Sequence, residues 1–250
     1  MAGHSKWANR IHRKSRQDAK RGKMFGKLSR EIIVAARLGG GDPATNNRLR
    51  LAIEAARSAS MPLDNIERAV KRGTGEVAGV QYEEITYEGY GPGGAAMMVA
   101  CLTDNKQRTV AEVRSLFDKR GGRLGESGSV AWMFEQKGVI VINKGPNVDG
   151  ERLFFLAADA GAEDVQEYEE TYEVRVDLRR FQAVHDALQE AGYEFERAEV
   201  TFVPTTITEV PDDKARQLLS LLEALDEQDD VQKIHSNFEV SDEVLATMEN

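Results

Sequence analysis

Gly89, Gly91 and Gly94 in YEGYGPGGAAMM have the spacing G-x-G-x-x-G, Ser127 sits among glycines in GGRLGESGSV, and Cys101 is the one cysteine. Each suggests a chemistry, and each fails on its surroundings. A glycine loop that cradles phosphate must open a helix whose N-terminus meets the anion. Here the glycines lead into the strand-like run AAMMVACL and Pro92 removes a donor, so a hairpin turn is expected. Ser127 lacks the G-x-S-x-G elbow of a serine nucleophile. Cys101 alone can neither close an internal disulfide nor build a cysteine-based zinc site; a buried core thiol and a reducing compartment are expected. The four histidines, His4, His12, His185 and His235, show no ligand spacing. The acids cluster as Glu83 and Glu84, or Asp226, Glu227, Asp229 and Asp230, where turns and helix ends expose them. No metal, no cofactor and no enzymatic activity are expected.

The residues with a chemical purpose are the cations of the opening stretch, MAGHSKWANRIHRKSRQDAKRGK. Through Arg30 there are ten Lys or Arg against one acid, Asp18, in a chain whose net charge is −9. Through Arg72 the count is 17 bases to 6 acids, a net of +11, which leaves −20 for the rest. Such segregation points one end at a polyanion and leaves the remainder to be repelled by it. On a helix over residues 8–21, Arg10, Arg13, Lys14, Gln17 and Arg21 share a face, while other cations populate the remaining faces. A helix charged nearly all round has no core stripe, so order on phosphate neutralisation and mobility of everything before Met24 are expected. The candidate nucleic-acid contacts are His4, Ser5, Lys6, Trp7, Asn9, Arg10, His12, Arg13, Lys14, Lys20, Arg21, Lys23 and Lys27. Trp7 either stacks on a base or staples the arm to the first bundle helix. To these TDNKQRT adds Asn105, Lys106 and Arg108: either Asp104 or Asn105 caps a helix there, and two cations at its positive end oppose the macrodipole, as an anion-facing loop would.

The elements that must position these residues fall into three stretches. Met24, Phe25, Leu28, Ile32 and Ala35 are spaced for a helix that stops at Gly39–Gly41. Asp42 before Pro43 predicts the N-cap of a second helix through Leu49, Ile53 and Ala56; a third follows Pro62 and ends at Gly73. After residue 80 strands alternate with helices: strands at 85–88, 95–102 and 130–134, and a helix at 109–119. From 138 to 203 the order is β-α-β-β-α-β, the ferredoxin-like pattern. A helix at 211–225 and a strand at 231–239 follow. The fold class is α+β: a basic arm with a helical domain (1–75), then two ferredoxin-like α+β domains, one (80–135 with 205–242) interrupted by the other (136–204). Two domains in series is the alternative.

GHSKWANRIHRKSRQDAKRGKMFGKLSREI, YEGYGPGG, TDNKQRT and KRGGRLGESGSVAWMF, in that order, resemble the YebC family, whose mitochondrial relatives include the translational activator of cytochrome c oxidase subunit I. The resemblance spans essentially the whole chain. It implies a helical domain followed by two α+β domains and a cytoplasmic, non-enzymatic regulator of gene expression. Members are described as DNA-binding transcriptional regulators, whereas the mitochondrial branch and a ribosome-associated role point to translation. The expected partners are DNA or ribosomal RNA, with the ribosome as a further candidate; a monomer is favoured. No membrane partner is expected, because the longest apolar run is too short to span a bilayer and the N-terminus lacks a signal-peptide core. A protein-interaction scaffold, with the arm as an electrostatic tether, is the competing class.

Overall fold

The computed structural model describes residues 18–241 and 244, with side chains from residue 22 onward. The chain divides into two compact units, one made of residues up to Met133 together with those from Pro204, the other of Phe134–Val203.

The first unit begins with helix α1 (Asp18–Gly39). Met24 is not a boundary: residues 18–23 continue the same helix, since Ala19, Lys20, Arg21 and Lys23 are good helix formers that carry it through Gly22, and no proline intervenes. Helix α2 (Asn47–Ser58) starts four residues later than the Asp42–Pro43 signal predicts. Asp42 closes a turn instead, accepting the Ala44 N–H at 2.9 Å. Asn46 is the cap because the position needs a donor and an acceptor at once. Its Oδ1 accepts the Leu49 N–H (3.1 Å), and its Nδ2 donates to the carbonyls of Ala35 and Gly40 (both 2.8 Å). One buried amide thus satisfies the end of α1 and the start of α2, which an Asp, having acceptors only, cannot do. Asn46→Ala should therefore cost about 2–3 kcal/mol, at about 1 kcal/mol per lost bond. Urea unfolding checks this, and Asn46→Asp, which keeps only the cap, should fall between.

Helix α3 (Leu63–Thr74) ends at Gly75, in the left-handed region at φ 84°, and not at Gly73. Gly73 lies inside the helix because a Cβ there would sit 2.5 Å from the Ile33 carbonyl of α1. Ile32, Ile33, Leu49, Ala56, Met61 and Ile66 form the core of this three-helix domain.

The same unit continues as an antiparallel sheet, β1 (Glu83–Tyr90), β2 (Ala96–Thr103), β3 (Arg123–Leu124) and β9 (Val231–Ser236), in the order β3-β1-β2-β9. Helices α4 (Lys106–Lys119) and α7 (Asp212–Asp226) complete its core. Met97, Val99 and Cys101 alternate along β2 and pack with Val113 and Phe117 of α4 and Leu218, Leu222 and Leu225 of α7. The element order here is β-β-α-β-α-β. The glycine motif is the β1–β2 hairpin turn, with Gly93 and Gly94 at φ 76° and 80°. A parallel pair, β8 (Thr208–Glu209) with β10 (Phe238–Glu239), closes the unit, so the strand expected over 231–239 is split between two sheets.

The run Val130–Phe134, expected as a strand, is not one: Ala131–Met133 is a short 3-10 turn. The cause is Glu88 of β1, whose buried carboxylate accepts the N–H groups of Gly128 (2.7 Å), Val130 and Ala131 (both 2.8 Å). Those donors are spent on a side chain and cannot join a ladder.

The second unit has β4 (Phe134–Asn143), α5 (Gly150–Ala160), β5 (Asp164–Glu167), β6 (Thr171–Val176), α6 (Phe181–Glu190) and β7 (Arg197–Pro204). Its strands lie in the order β5-β6-β4-β7, the ferredoxin-like arrangement. Ile140, Ile142 and Val174 of the sheet, Leu153 of α5 and Val184 and Leu188 of α6 are all buried. His185 is buried too, its ring 5.0 Å from that of Phe195, which is the structural role expected of it.

Candidate nucleic-acid interface

On α1, Lys23, Lys27 and Arg30 stand at i, i+4 and i+7 and so share one face. That face is occupied. Lys23 Nζ donates to the Glu227 carbonyl at 2.6 Å, and Lys27 Nζ to the Asp226 carbonyl at 2.8 Å and its carboxylate at 3.0 Å. The Arg30 guanidinium donates to the Asp229 carbonyl and lies 5.7 Å from the centre of the Tyr82 ring. These acceptors are the end of α7 and the turn beyond it, where carbonyls lack helical partners and the macrodipole is negative. Lys23 and Lys27, candidates for phosphate, are therefore committed within the fold. Their acceptors are backbone atoms about 200 positions away, on which sequence spacing is silent.

The TDNKQRT segment is also bonded within the fold. Asn105 is the N-cap of α4, its Oδ1 accepting the Arg108 N–H at 3.0 Å. Lys106 pairs with Glu83 at 2.6 Å on the surface. The Arg108 guanidinium is held between Asp104 (2.8 Å) and Asp230 (2.7 Å). Asp230 is only 6 % exposed, and the same oxygen accepts the hydroxyls of Thr109 (2.7 Å) and Thr103 (3.2 Å). Burial by itself would raise the Asp230 carboxyl, but the bonds from Arg108 and Thr109 outweigh it and hold the group below the usual carboxylate range. Its negative charge adds to burial in pushing the Cys101 thiol up to about 12, so that sulfur is inert as a nucleophile. Two carboxylates already pair with Arg108, so in this fold the loop ties β2 and α4 to Asp230.

His4, Ser5, Lys6, Trp7, Asn9, Arg10, His12, Arg13 and Lys14 lie outside the described residues. Lys20 and Arg21 fall in the first turns of α1, their side chains likewise outside them. On the helical domain Arg48 pairs with Glu31 (2.7 Å) and Glu84, and Arg50 with Glu54 (3.2 Å). Arg57 of α2 and Arg68, Lys71 and Arg72 of α3 are exposed and make no ion pair among the described residues. These four are absent from the sequence-derived candidates. The signal for them is the helical period: Ile66, Ala69 and Gly73 face inward, which turns 68, 71 and 72 to solvent.

Comparison with known proteins gives two family matches: "TACO1/YebC protein N-terminal domain" over residues 5–76 and "TACO1/YebC second and third domain" over 82–238. A protein of Dictyoglomus turgidum is 55 % identical over 99 % of this chain and all of its own length, and one of Persephonella marina is 55 % identical over 98 % of each. Both are named probable transcriptional regulatory protein. Among solved structures, a conserved hypothetical protein of Aquifex aeolicus superposes with a TM-score of 0.85 at 48 % identity, over 91 % of this chain and 94 % of that one.

Proposed function

This chain belongs to the TACO1/YebC family, and from that premise we propose that it is a cytoplasmic, DNA-binding regulator of transcription that acts by neutralising phosphates, without making or breaking bonds. The observation that carries the reading is the charge asymmetry, +11 through Arg72 against −20 beyond it. Such a distribution draws one end to a polyanion and holds the other away. Curated relatives named as probable transcriptional regulators support it. So do Arg57, Arg68, Lys71 and Arg72, exposed cations without ion pairs among the described residues. The displaced carboxyls of Glu88 and Asp230 are explained by the donors that hold them and need no catalytic role.

RNA, in a ribosome-associated role, is the second reading. It is favoured by Trp7 with His4 and His12 in the basic arm, side chains suited to unpaired bases. Crosslinking in cells with sequencing of both nucleic acids decides. Promoter fragments support the first reading and ribosomal RNA the second, whereas recovery of neither leaves the protein scaffold.

In vitro, each phosphate contact on a duplex contributes about 0.9 to the slope of log K against log salt. Replacing Lys71 and Arg72 together with Ala should flatten that slope by up to about 2 and weaken matched and unmatched targets alike. Lys23→Ala should leave it nearly unchanged, because that ammonium is bonded to the end of α7.

A further inference from the structure

The segment from the end of α4 to the start of β4 differs in charge from the acidic lobe that carries it. Between Lys119 and Trp132 there are three cations, Lys119, Arg120 and Arg123, and one acid, Glu126. Lys119 and Arg123 are exposed, Arg120 half-buried, and none of the three side chains makes an ion pair among the described residues. Trp132, at the end of the segment, is 68 % exposed.

This tryptophan is fixed in place by its surroundings. Its indole N–H donates to the Ser129 carbonyl at 3.2 Å, and the same carbonyl accepts the Tyr90 hydroxyl at 3.0 Å. Tyr90 is in turn the β-ladder partner of Arg123, so the ring and Arg123 are linked through one corner of the sheet, with Lys119 and Arg120 a few residues earlier in the chain. The backbone just before the ring is pinned by the buried Glu88 through the N–H groups of Val130 and Ala131. The polar edge of the indole is thus satisfied inside the protein while the ring remains in water. A large apolar surface kept exposed on a fixed backbone, in a segment that also carries cations without ion pairs among the described residues, suits a flat, apolar, anion-linked partner.

We propose that the segment from Lys119 to Trp132 is a contact site for single-stranded nucleic acid, in which an unpaired base stacks on Trp132 and the flanking phosphates meet Arg123, Arg120 and Lys119. A duplex does not fit this role, because its base faces are already stacked on each other; a single strand offers both a free face and a backbone charge. The site lies in a different domain from the basic arm and adds a second contact to the nucleic-acid reading on which it rests.

The test uses the full chain carrying Trp7→Phe, which leaves Trp132 as its one tryptophan. A short oligouridylate, the corresponding oligothymidylate and a duplex of equal length are added, while indole emission and the anisotropy of the labelled strand are read together. Either single strand should quench Trp132 saturably and the duplex should not; quenching by one of the two identifies the sugar that is preferred. Trp132→Ala in this background should weaken single-strand binding about tenfold, and Trp132→Phe, which keeps a stacking face, should recover most of it. Arg120→Ala with Arg123→Ala should flatten the salt slope by up to about 1.4, at about 0.7 per contact on a single strand.

If the strands bind by anisotropy while Trp132 emission stays constant and Trp132→Ala binds equally well, this site is wrong and the nucleic-acid reading survives. Absence of binding to any of the three at low salt overturns both. Quenching by a polyglutamate peptide but by neither single strand assigns the corner to an acidic protein and rejects the proposal.

Discussion

Deletion of residues 1–17 is expected to weaken nucleic-acid binding on the order of 10³-fold at about 0.15 M salt, and to flatten the salt slope by about 4 to 5 on a duplex. The segment holds five cations, Lys6, Arg10, Arg13, Lys14 and Arg16, and no acid. Each contact releases condensed counterions worth about 0.9 in the slope, and the affinity lost is that slope multiplied by the logarithm of the salt dilution below 1 M. The truncation leaves α1 intact from Asp18, together with the bonds from Lys23, Lys27 and Arg30 to the end of α7 and the Asn46 bridge to α2. Its urea midpoint should therefore match that of the full chain. Equal stability with lost binding identifies the segment as an interface. Intact binding at physiological salt would instead place the contacts elsewhere, and a lowered midpoint would show that these cations hold the fold.

The second large effect concerns stability. Glu88→Ala should cost about 4 kcal/mol, because it removes the acceptor of three N–H donors at a buried carboxylate, and bonds to a charged group contribute about 1.5–3 kcal/mol each before the site relaxes. The donors of Gly128, Val130 and Ala131 would be left to water or to nothing, and the segment carrying Trp132 would lose its anchor. Burial alone would raise the Glu88 carboxyl; the three backbone donors prevail and hold it below the usual value. Asp230 is lowered too, there by the side chains of Arg108, Thr109 and Thr103.

A carboxylate whose pKa is lower folded than unfolded contributes stability that is fully present above its unfolded pKa, about 4, and is lost as pH falls through the folded value. Urea midpoints should thus owe no change to these two groups between about pH 7 and pH 5, and decline below about pH 4. Glu88→Gln should lower the midpoint at neutral pH and make the acid decline shallower. If the variant declines as steeply as the parent, the three donors do not control that carboxyl.

The residues themselves determined the signals that act locally. Pro62 opens α3, the hairpin glycines turn β1 into β2, and the alternation and helical spacing from 138 to 203 specify β-α-β-β-α-β, because φ/ψ limits and side-chain periodicity act within a few residues. The charge asymmetry is likewise a property of composition and needs no coordinates.

Tertiary structure decided what each polar group is bonded to. Asn46 displaced Asp42 as a cap because only an amide reaches two carbonyls and one N–H together. Val130 and Ala131 left the strand pattern because a carboxylate some forty residues earlier took their donors. Lys23, Lys27, Asn105 and Arg108 have internal partners that residue spacing does not reveal: carbonyls, an amide N–H and a buried Asp230 brought close by the chain's path. Backbone acceptors are chemically alike at every position, so nothing in their residue names marks which of them will meet a given lysine. Only the fold brings the end of α7 beside α1, and with that contact it separates the cations that hold the protein together from those left exposed.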